Sequence, residues 1–408
     1  MKDSLLIVLP YVPFPLRRGT YQRVYHLAER LGAHFAVDLF CLSHEPEDQR
    51  FRERFEAFSR RLHFSPFEHL AWPSFWKERL WKKTPTTVRH WWSESVRADL
   101  ARFIEGQQYD RVLFVDLVLW PYLAACFPDH PALIVDRSRV DWLFQTEELR
   151  TLADTAWGRF MRKENLFKIA RLEREVAEKL ALMVVCGGDD KSFLESKLGP
   201  QDKIHVLPNG ANASFFSAED WPSQPTAHPS ALFCGALDYT PNTDGLRWYF
   251  SEIHERILAE APAYQVTLVG KNPTPEVQGW AERPSVDFQG EVPDVRPFYQ
   301  QAWLQIVPLR IGGGTRLKIA EGLCLANPVV STSLGAQGID LVPGADLLLG
   351  DTPEEFAAAC LRYLGDETLR KQHGQAGRAA ILKSYTWESL GDSLAERLRA
   401  LPTHAAQP

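Results

Sequence analysis

Gly312, Gly313 and Gly314 stand directly before Thr315, Arg316, Leu317 and Lys318. These residue types in this order suit the capture of an anion. Glycine backbone turns tightly and comes close to a ligand with no Cβ in the way. The apolar run Trp303-Leu304-Gln305-Ile306-Val307 before it is short enough for a buried strand. After it, Leu317, Ala320, Leu323 and Cys324 recur at helical spacing, which predicts a helix from Thr315. The free amides and positive dipole end of such a helix attract a phosphate. Arg316 and Lys318 add two cations to the first turn, where positive charge opposes the dipole unless an anion is present. Three glycines alone would also serve a plain turn; the strand before, the helix after and the cations favour the phosphate. Glu321, further along the helix, is placed to accept hydrogen bonds from paired sugar hydroxyls, as acidic residues do in dinucleotide sites. A solvated helix glutamate is the alternative.

The elements around this loop repeat one pattern. Leu5–Leu9 is a continuous apolar run, followed by a loop with Pro10, Pro13 and Pro15 and then Arg17-Arg18-Gly19-Thr20. A helix is expected over Tyr21–Leu31, giving strand, loop and helix, with ligands gathering at the strand's carboxyl end. Ala36–Leu42, Arg111–Leu117, Ala132–Val135, Leu182–Cys186 and Lys203–Leu207 read as further strands, and Phe51–Leu62 as a charged helix. Asp136 and Arg137 follow the Ala132–Val135 strand at its carboxyl edge, where ligands gather. Arg137 and Arg139 suit an acidic acceptor or a phosphate, or else pair with Asp136 and Asp141. A long helix is expected over Gly158–Leu180, with Phe160, Leu166, Ile169, Leu172, Val176 and Leu180 on one face. Residues 221–230, rich in Pro, Ser and Thr, read as a linker. The pattern restarts at Ala231–Gly235, with a loop to Asn242, which is expected to cap a helix running from Thr243. Strands follow at Tyr264–Val269, Val286–Phe288 and Pro328–Ser331. The fold class is therefore α/β, with two Rossmann-like domains.

Bulk properties narrow the function. A chain of 408 residues can bury two or three cores. Its net charge of −6 argues against a general nucleic-acid binder. Six scattered cysteines without a Cys-x-x-Cys pair suit buried thiols in a reducing compartment, not zinc or redox chemistry. Leu5–Leu9 is too short for a signal core, and no apolar run approaches the ~20 residues that span a bilayer. A cytoplasmic protein is expected. Residues 64–92 interleave Trp72, Trp76, Trp81, Trp91 and Trp92 with Lys77, Arg79, Lys82, Lys83 and Arg89. That composition suits peripheral contact with the inner face of a membrane, or a helical insertion whose tryptophans pack inward.

The run from Pro308 to Val330 resembles the donor-binding element of retaining GT-B glycosyltransferases (glycosyltransferase family 4-like, glycosyl transferases group 1). The resemblance implies two Rossmann-like domains facing across a cleft. Residues 1–215 would bind the acceptor, 216–385 the nucleotide sugar, and a C-terminal helix at 386–408 would cross back to the first domain. Glu321 matches the second of the family's two glutamates, the one on the ribose; the first falls on Gly313. The family's Arg-Lys loop is absent between Gly235 and Asn242, which shifts the phosphate role to Arg316, Lys318 and the amides of Gly312, Gly313, Gly314 and Thr315. Gly290, Glu291 and Val292 match the segment whose backbone reads the base. Arg18, Gly19, Thr20 and Arg137 fall on the cleft and acceptor side, where the family often carries a His after the Ala132–Val135 strand; Asp136 stands there instead and is the catalytic candidate that the resemblance implies. Gly335–Ile339 resembles the loop near the donor sugar. The implied activity is retaining transfer of a hexosyl group from a nucleotide-diphosphate sugar to a glycan or lipid-linked acceptor. No Asp-x-Asp occurs, so no metal and no resident cofactor are expected. A sugar-nucleotide epimerase and a catalytically silent sugar-nucleotide-binding scaffold are the competing readings.

Overall fold

The computed structural model describes residues 2–16, 19–70, 83–151, 155–312 and 316–403. The chain forms two compact units, Met1–Leu207 with Gly391–Pro408, and Pro208–Leu390.

The first unit is built on a seven-stranded parallel sheet: β1 (Ser4–Leu9), β2 (Ala36–Ser43), β3 (Arg61–Pro66), β4 (Arg111–Val115), β5 (Leu133–Arg137), β6 (Leu182–Val185) and β7 (Ile204–Val206). The order across the sheet is β3-β2-β1-β4-β5-β6-β7. Its strands are short, continuous apolar runs because helices cover both faces of such a sheet; all of β4 and β5 is buried. The strand order reverses between β1 and β4, so the loops after these two strands open at the topological switch point. Strand β3 was not expected. The charged stretch before it forms only the short helical turns Pro46–Phe51 and Arg52–Glu56, and Leu62 then pairs with Leu39 in β2. The tail of the chain packs on this unit. Arg30 forms an ion pair with Asp392, and the buried Arg111 donates to the Leu398 and Arg399 carbonyls.

The second unit repeats the order with six strands: β8 (Ser230–Cys234), β9 (Gln265–Val269), β10 (Val286–Gly290), β11 (Leu304–Val307), β12 (Val329–Ser331) and β13 (Leu348–Leu349), arranged β10-β9-β8-β11-β12-β13. The switch point falls between β8 and β11. Helix Thr240–Trp248 continues through a π turn at Tyr249–Ile253 into His254–Glu260. The 221–230 stretch is part of this unit. Gln224 and Thr226 amides donate to the Gln300 and Gln301 carbonyls, and the Trp303 indole donates to Thr226. All six cysteines are free thiols, four of them buried.

In the first unit the helix Ala156–Lys179 is fastened to β5 by an ion pair without water. Arg137 Nη1 lies 2.8 and 2.7 Å from the two Glu173 oxygens, and neither side chain is exposed. Removing one partner leaves a buried charge without its countercharge. Glu173→Ala is therefore expected to lower the unfolding free energy by ~3–5 kcal/mol, and Arg137→Met with Glu173→Leu by much less. Urea unfolding of the full chain checks both; a Glu173→Ala cost under about 1 kcal/mol contradicts the role given to the pair.

Candidate functional site

In the second unit, β8 and β11 deliver two loops to the switch point. From β8 the chain passes Gly235, whose φ is 155°. A Cβ there would lie 2.9 Å from both Lys318 Nζ and Asn242 Nδ2, so only glycine lets these groups approach. From β11 the chain passes Pro308–Gly312 and enters helix Leu317–Cys324. Gly312 has φ 98° and lies against Pro241. Gly313, Gly314 and Thr315, three of the expected phosphate ligands, lie outside the described residues.

The helix begins two residues later than its periodicity suggests, and Arg316 holds the N-cap position. A guanidinium has no acceptor atom, so it does not cap the first amides as Ser, Thr or Asp would. Instead Arg316 is buried and its Nη2 donates to Gly312 O at 2.7 Å. The helix is pressed onto β11: buried Gln305 donates to Lys318 O at 2.9 Å, and a Cβ at Gly322 would come within 2.3 Å of the Gln305 amide. These contacts fix the direction of the first turn.

Lys318 bends back toward β8. Its Nζ donates to Asn242 Oδ1 at 2.8 Å and lies 4.4 Å from the Phe233 ring centroid. Asn242 is expected from sequence to cap its helix. The helix starts earlier, at Thr240, which puts Asn242 inside the first turn, where it also donates to Ala236 O at 2.7 Å. Among the described residues no carboxylate comes within ion-pair distance of Lys318. Burial therefore lowers its pKa from the usual 10.5 to about 8. Burial also lowers Arg316 and raises the half-buried Glu321 carboxyl to about 7, with Lys318 pulling Glu321 the other way. Among the described residues, a buried ammonium thus lies near a helix start whose N-cap side chain makes no capping hydrogen bond. Gly290, with φ 65°, accepts from the Gly270 amide; Glu291 after it is exposed and Val292 half-buried. In the loop after β12, a Cβ at Gly335 would lie 2.5 Å from Ser331 Oγ.

The first unit treats its expected site residues differently. Asp136 is buried and both its oxygens are taken by buried Arg23, at 2.6 to 3.1 Å; Arg23 also donates to Leu207 O. Asp136 is thus an internal structural carboxylate, not an open catalytic group. Arg137 is likewise consumed by Glu173 and is not placed to hold an acceptor, while Arg139 pairs with Asp141 at 2.8 Å. Gly19 and Thr20 open helix Gly19–His34, and Arg18 lies outside the described residues. The carboxylate that remains at the switch point is Asp116, directly after β4. It is half-buried, has φ 60° and ψ 154°, and accepts from the Ser138 hydroxyl at 3.0 Å. Burial raises its carboxyl to about 6, with the Asp141 charge adding to the effect. Sequence reasoning passed over it, although the rule that singled out the end of β5 applies equally to β4. Of the 64–92 stretch, residues 71–82 lie outside the described residues. Trp91 stacks on buried Phe67 and Trp92 on Tyr122, so these two tryptophans pack inward.

Residues 228–366 match the family described as Glycosyl transferases group 1. Two curated relatives align over a similar share of the chain. An uncharacterized 44.6 kDa protein in the cps region of Klebsiella pneumoniae is 24% identical over 143 residues, 33% of this chain and 37% of that protein. A trehalose synthase of Rubrobacter xylanophilus is 24% identical over 148 residues, 33% of this chain and 35% of its own. The matched stretch thus spans about a third of either relative. Among solved structures, a sucrose-phosphate synthase from Thermosynechococcus elongatus superposes with a TM-score of 0.68 at 16% identity, covering 97% of this chain and 98% of that one. A glycosyltransferase from Rickettsia africae reaches 0.64 at 13%, covering 98% of each. Anabaena HepE in complex with UDP and glucose reaches 0.61 at 12%, covering 97% of this chain and 99% of that one. The likeness is that of a GT-B fold.

The strain on Lys318 gives a measurable consequence. Its folded pKa lies below the free value, so between about 8 and 10.5 the unfolded chain holds the proton more tightly and stability rises with pH. Below that window the buried charge is a full penalty. Lys318→Met should therefore stabilise the protein at pH 7 by roughly 1–3 kcal/mol, the gain fading as pH approaches 10.5. Denaturant melts at neutral and alkaline pH measure it; a variant no more stable than the parent at pH 7 contradicts the burial argument.

Proposed function

We propose, from the match of residues 228–366 to the glycosyl transferases group 1 family, that the chain moves a sugar from a nucleotide-diphosphate sugar to a glycan or lipid-linked acceptor. The observation that supports this most is the Lys318 ammonium, held beside Gly235 by a neutral amide, with no carboxylate among the described residues close enough to balance it. A diphosphate laid against the front of helix Leu317–Cys324 would supply that missing charge. It would accept from Lys318, from Arg316 and from the first-turn amides together. Negative charge grows on the departing phosphate as the bond to the sugar breaks, so these groups hold the transition state more tightly than the ground state. Glu321, ionised, accepts from the ribose hydroxyls, and the Gly290–Val292 backbone meets the base.

The step proposed is front-face substitution. The bond from the anomeric carbon to the phosphate oxygen breaks, and a bond to the acceptor oxygen forms on the same face. The acceptor's proton passes to the departing phosphate oxygen. The configuration is retained, no carboxylate nucleophile is used, and no metal is assigned a part. HepE is described with UDP and with UDP-glucose, which makes UDP-hexoses the first donors to try. Transfer with an inverted product by NMR would overturn the stereochemical part. Activity lost to a chelator and restored by a divalent cation would overturn the metal-free part. Conversion of donor to a new nucleotide sugar without acceptor would favour an epimerase.

Two measurements test the donor site. Arg316→Ala should weaken UDP binding by about tenfold or more, since a charge-assisted hydrogen bond contributes roughly 1.5–3 kcal/mol; unchanged affinity by calorimetry contradicts the assignment. UDP-hexose affinity should rise with pH as Glu321 ionises near 7 and fall as Lys318 loses its proton near 8. Glu321→Gln should remove the acid limb and Lys318→Met the alkaline one. A flat profile in the parent protein counts against both roles.

A further inference from the structure

The helix Ala156–Lys179 of the first unit turns an unusual face outward. Its inner side is conventional: Met161, Ile169, Ala170, Val176 and Ala177 are buried with Glu173. Phe160, which periodicity places with that apolar set, lies on the opposite side. Trp157 is 60% exposed, Phe160 52% and Phe167 72%. Trp157 and Phe160 stack at 5.6 Å. Arg159, Lys163, Arg171 and Arg174 are exposed on the same half of the helix, with Arg162 at its margin pairing with Glu148 at 3.6 Å. The acids of this span are turned away. Glu164 is half-buried against Lys168 at 2.5 Å, and Glu173 is sealed against Arg137. From Ala156 to Arg174, about 28 Å of helix, every fully exposed side chain is apolar or cationic.

Aromatic rings this exposed on a helix cost free energy in water and are uncommon on a surface that meets only solvent. Positions 157, 160, 167, 171 and 174 follow helical spacing, so the rings and cations share one stripe. We propose that this stripe docks on a bilayer carrying anionic headgroups. The helix lies in the interface, with Trp157, Phe160 and Phe167 entering the boundary between headgroups and acyl chains. The long basic side chains rise past the rings to the lipid phosphates. A protein partner would be expected to meet exposed carboxylates or uncharged polar groups as well as cations; between Ala156 and Arg174 the stripe has none, and the exposed Glu175 and Glu178 lie beyond its end. The surface belongs to helix 156–179 and does not depend on the 71–82 stretch or on the transferase reading.

The test is flotation of the full chain, without nucleotide, on phosphatidylcholine vesicles with and without phosphatidylglycerol. The protein should float with the anionic vesicles, stay behind with pure phosphatidylcholine, and be released by raised salt. Trp157→Ser with Phe160→Ser and Phe167→Ser, and separately Arg159→Gln with Lys163→Gln and Arg171→Gln, should each lower vesicle affinity about tenfold or more. Both variants must match the parent in thermal melting and in UDP calorimetry, which shows that they fold. A parent protein that stays off anionic vesicles overturns the proposal, as do folded variants that float like the parent. A parent that self-associates without floating, through contacts the variants lose, assigns the stripe to a second copy and overturns it equally. Flotation with no UDP binding would strike the transferase reading alone.

Discussion

A lysine ammonium beside the end of β8, with an amide where a carboxylate would neutralise it, is the constraint on which the second unit's chemistry depends. Asn242 orients Lys318 without cancelling its charge. Gly235 leaves room for both, and Gln305 with Gly322 holds the helix that carries the lysine against β11. Placing Asp at position 242 would relieve the desolvated cation and close the site to anions. The fold instead tolerates a lysine whose pKa burial lowers to about 8, at a cost in stability.

The two units share a strand order, yet they use their switch points in opposite ways. In the second, Lys318 is held by a neutral amide, with no carboxylate in ion-pair distance among the described residues. In the first, charges are matched internally: Arg23 with Asp136 and Arg137 with Glu173, each pair buried. Those pairs tie helices Gly19–His34 and Ala156–Lys179 to the end of β5 and engage both Asp136 and Arg137 inside the protein. Asp116, half-buried at the end of β4, accepts from Ser138 and makes no ion pair with an arginine among the described residues; its backbone conformation is one that a non-glycine residue adopts only where its surroundings enforce it. Similar topology thus carries different chemistry, as expected when function resides in side chains more than in the sheet.

The helix Ala156–Lys179 shows the limit of periodicity. An apolar repeat at spacing 3–4 identified a helix at nearly these bounds, but Phe160 falls close enough to the apolar set to be counted with it. The helix carries apolar residues on both sides, aromatic outward and aliphatic inward, and a wheel cannot say which side meets the sheet. The Arg137–Glu173 pair decides that, and its partners are 36 positions apart in sequence.

Local pattern was enough for the architecture. Short apolar strands alternating with amphipathic helices, repeated on either side of a Pro- and Ser-rich stretch, specify two parallel α/β units, because such strands are buried on both faces. It was also enough for the strand Leu304–Val307 and the helix Leu317–Cys324 on either side of the glycine run, because the two lie within 21 consecutive residues. It was not enough for charge pairing. Asp136 and Arg137 look available at the end of a strand, and only folding brings Arg23 from 113 positions away and Glu173 from 36 to occupy them. Strand β3, hidden in a charged run, needed β2 beside it to exist. Interactions between near neighbours are written in the order of residues, whereas the pairing of buried charges depends on which distant segments packing brings together and on the water it removes.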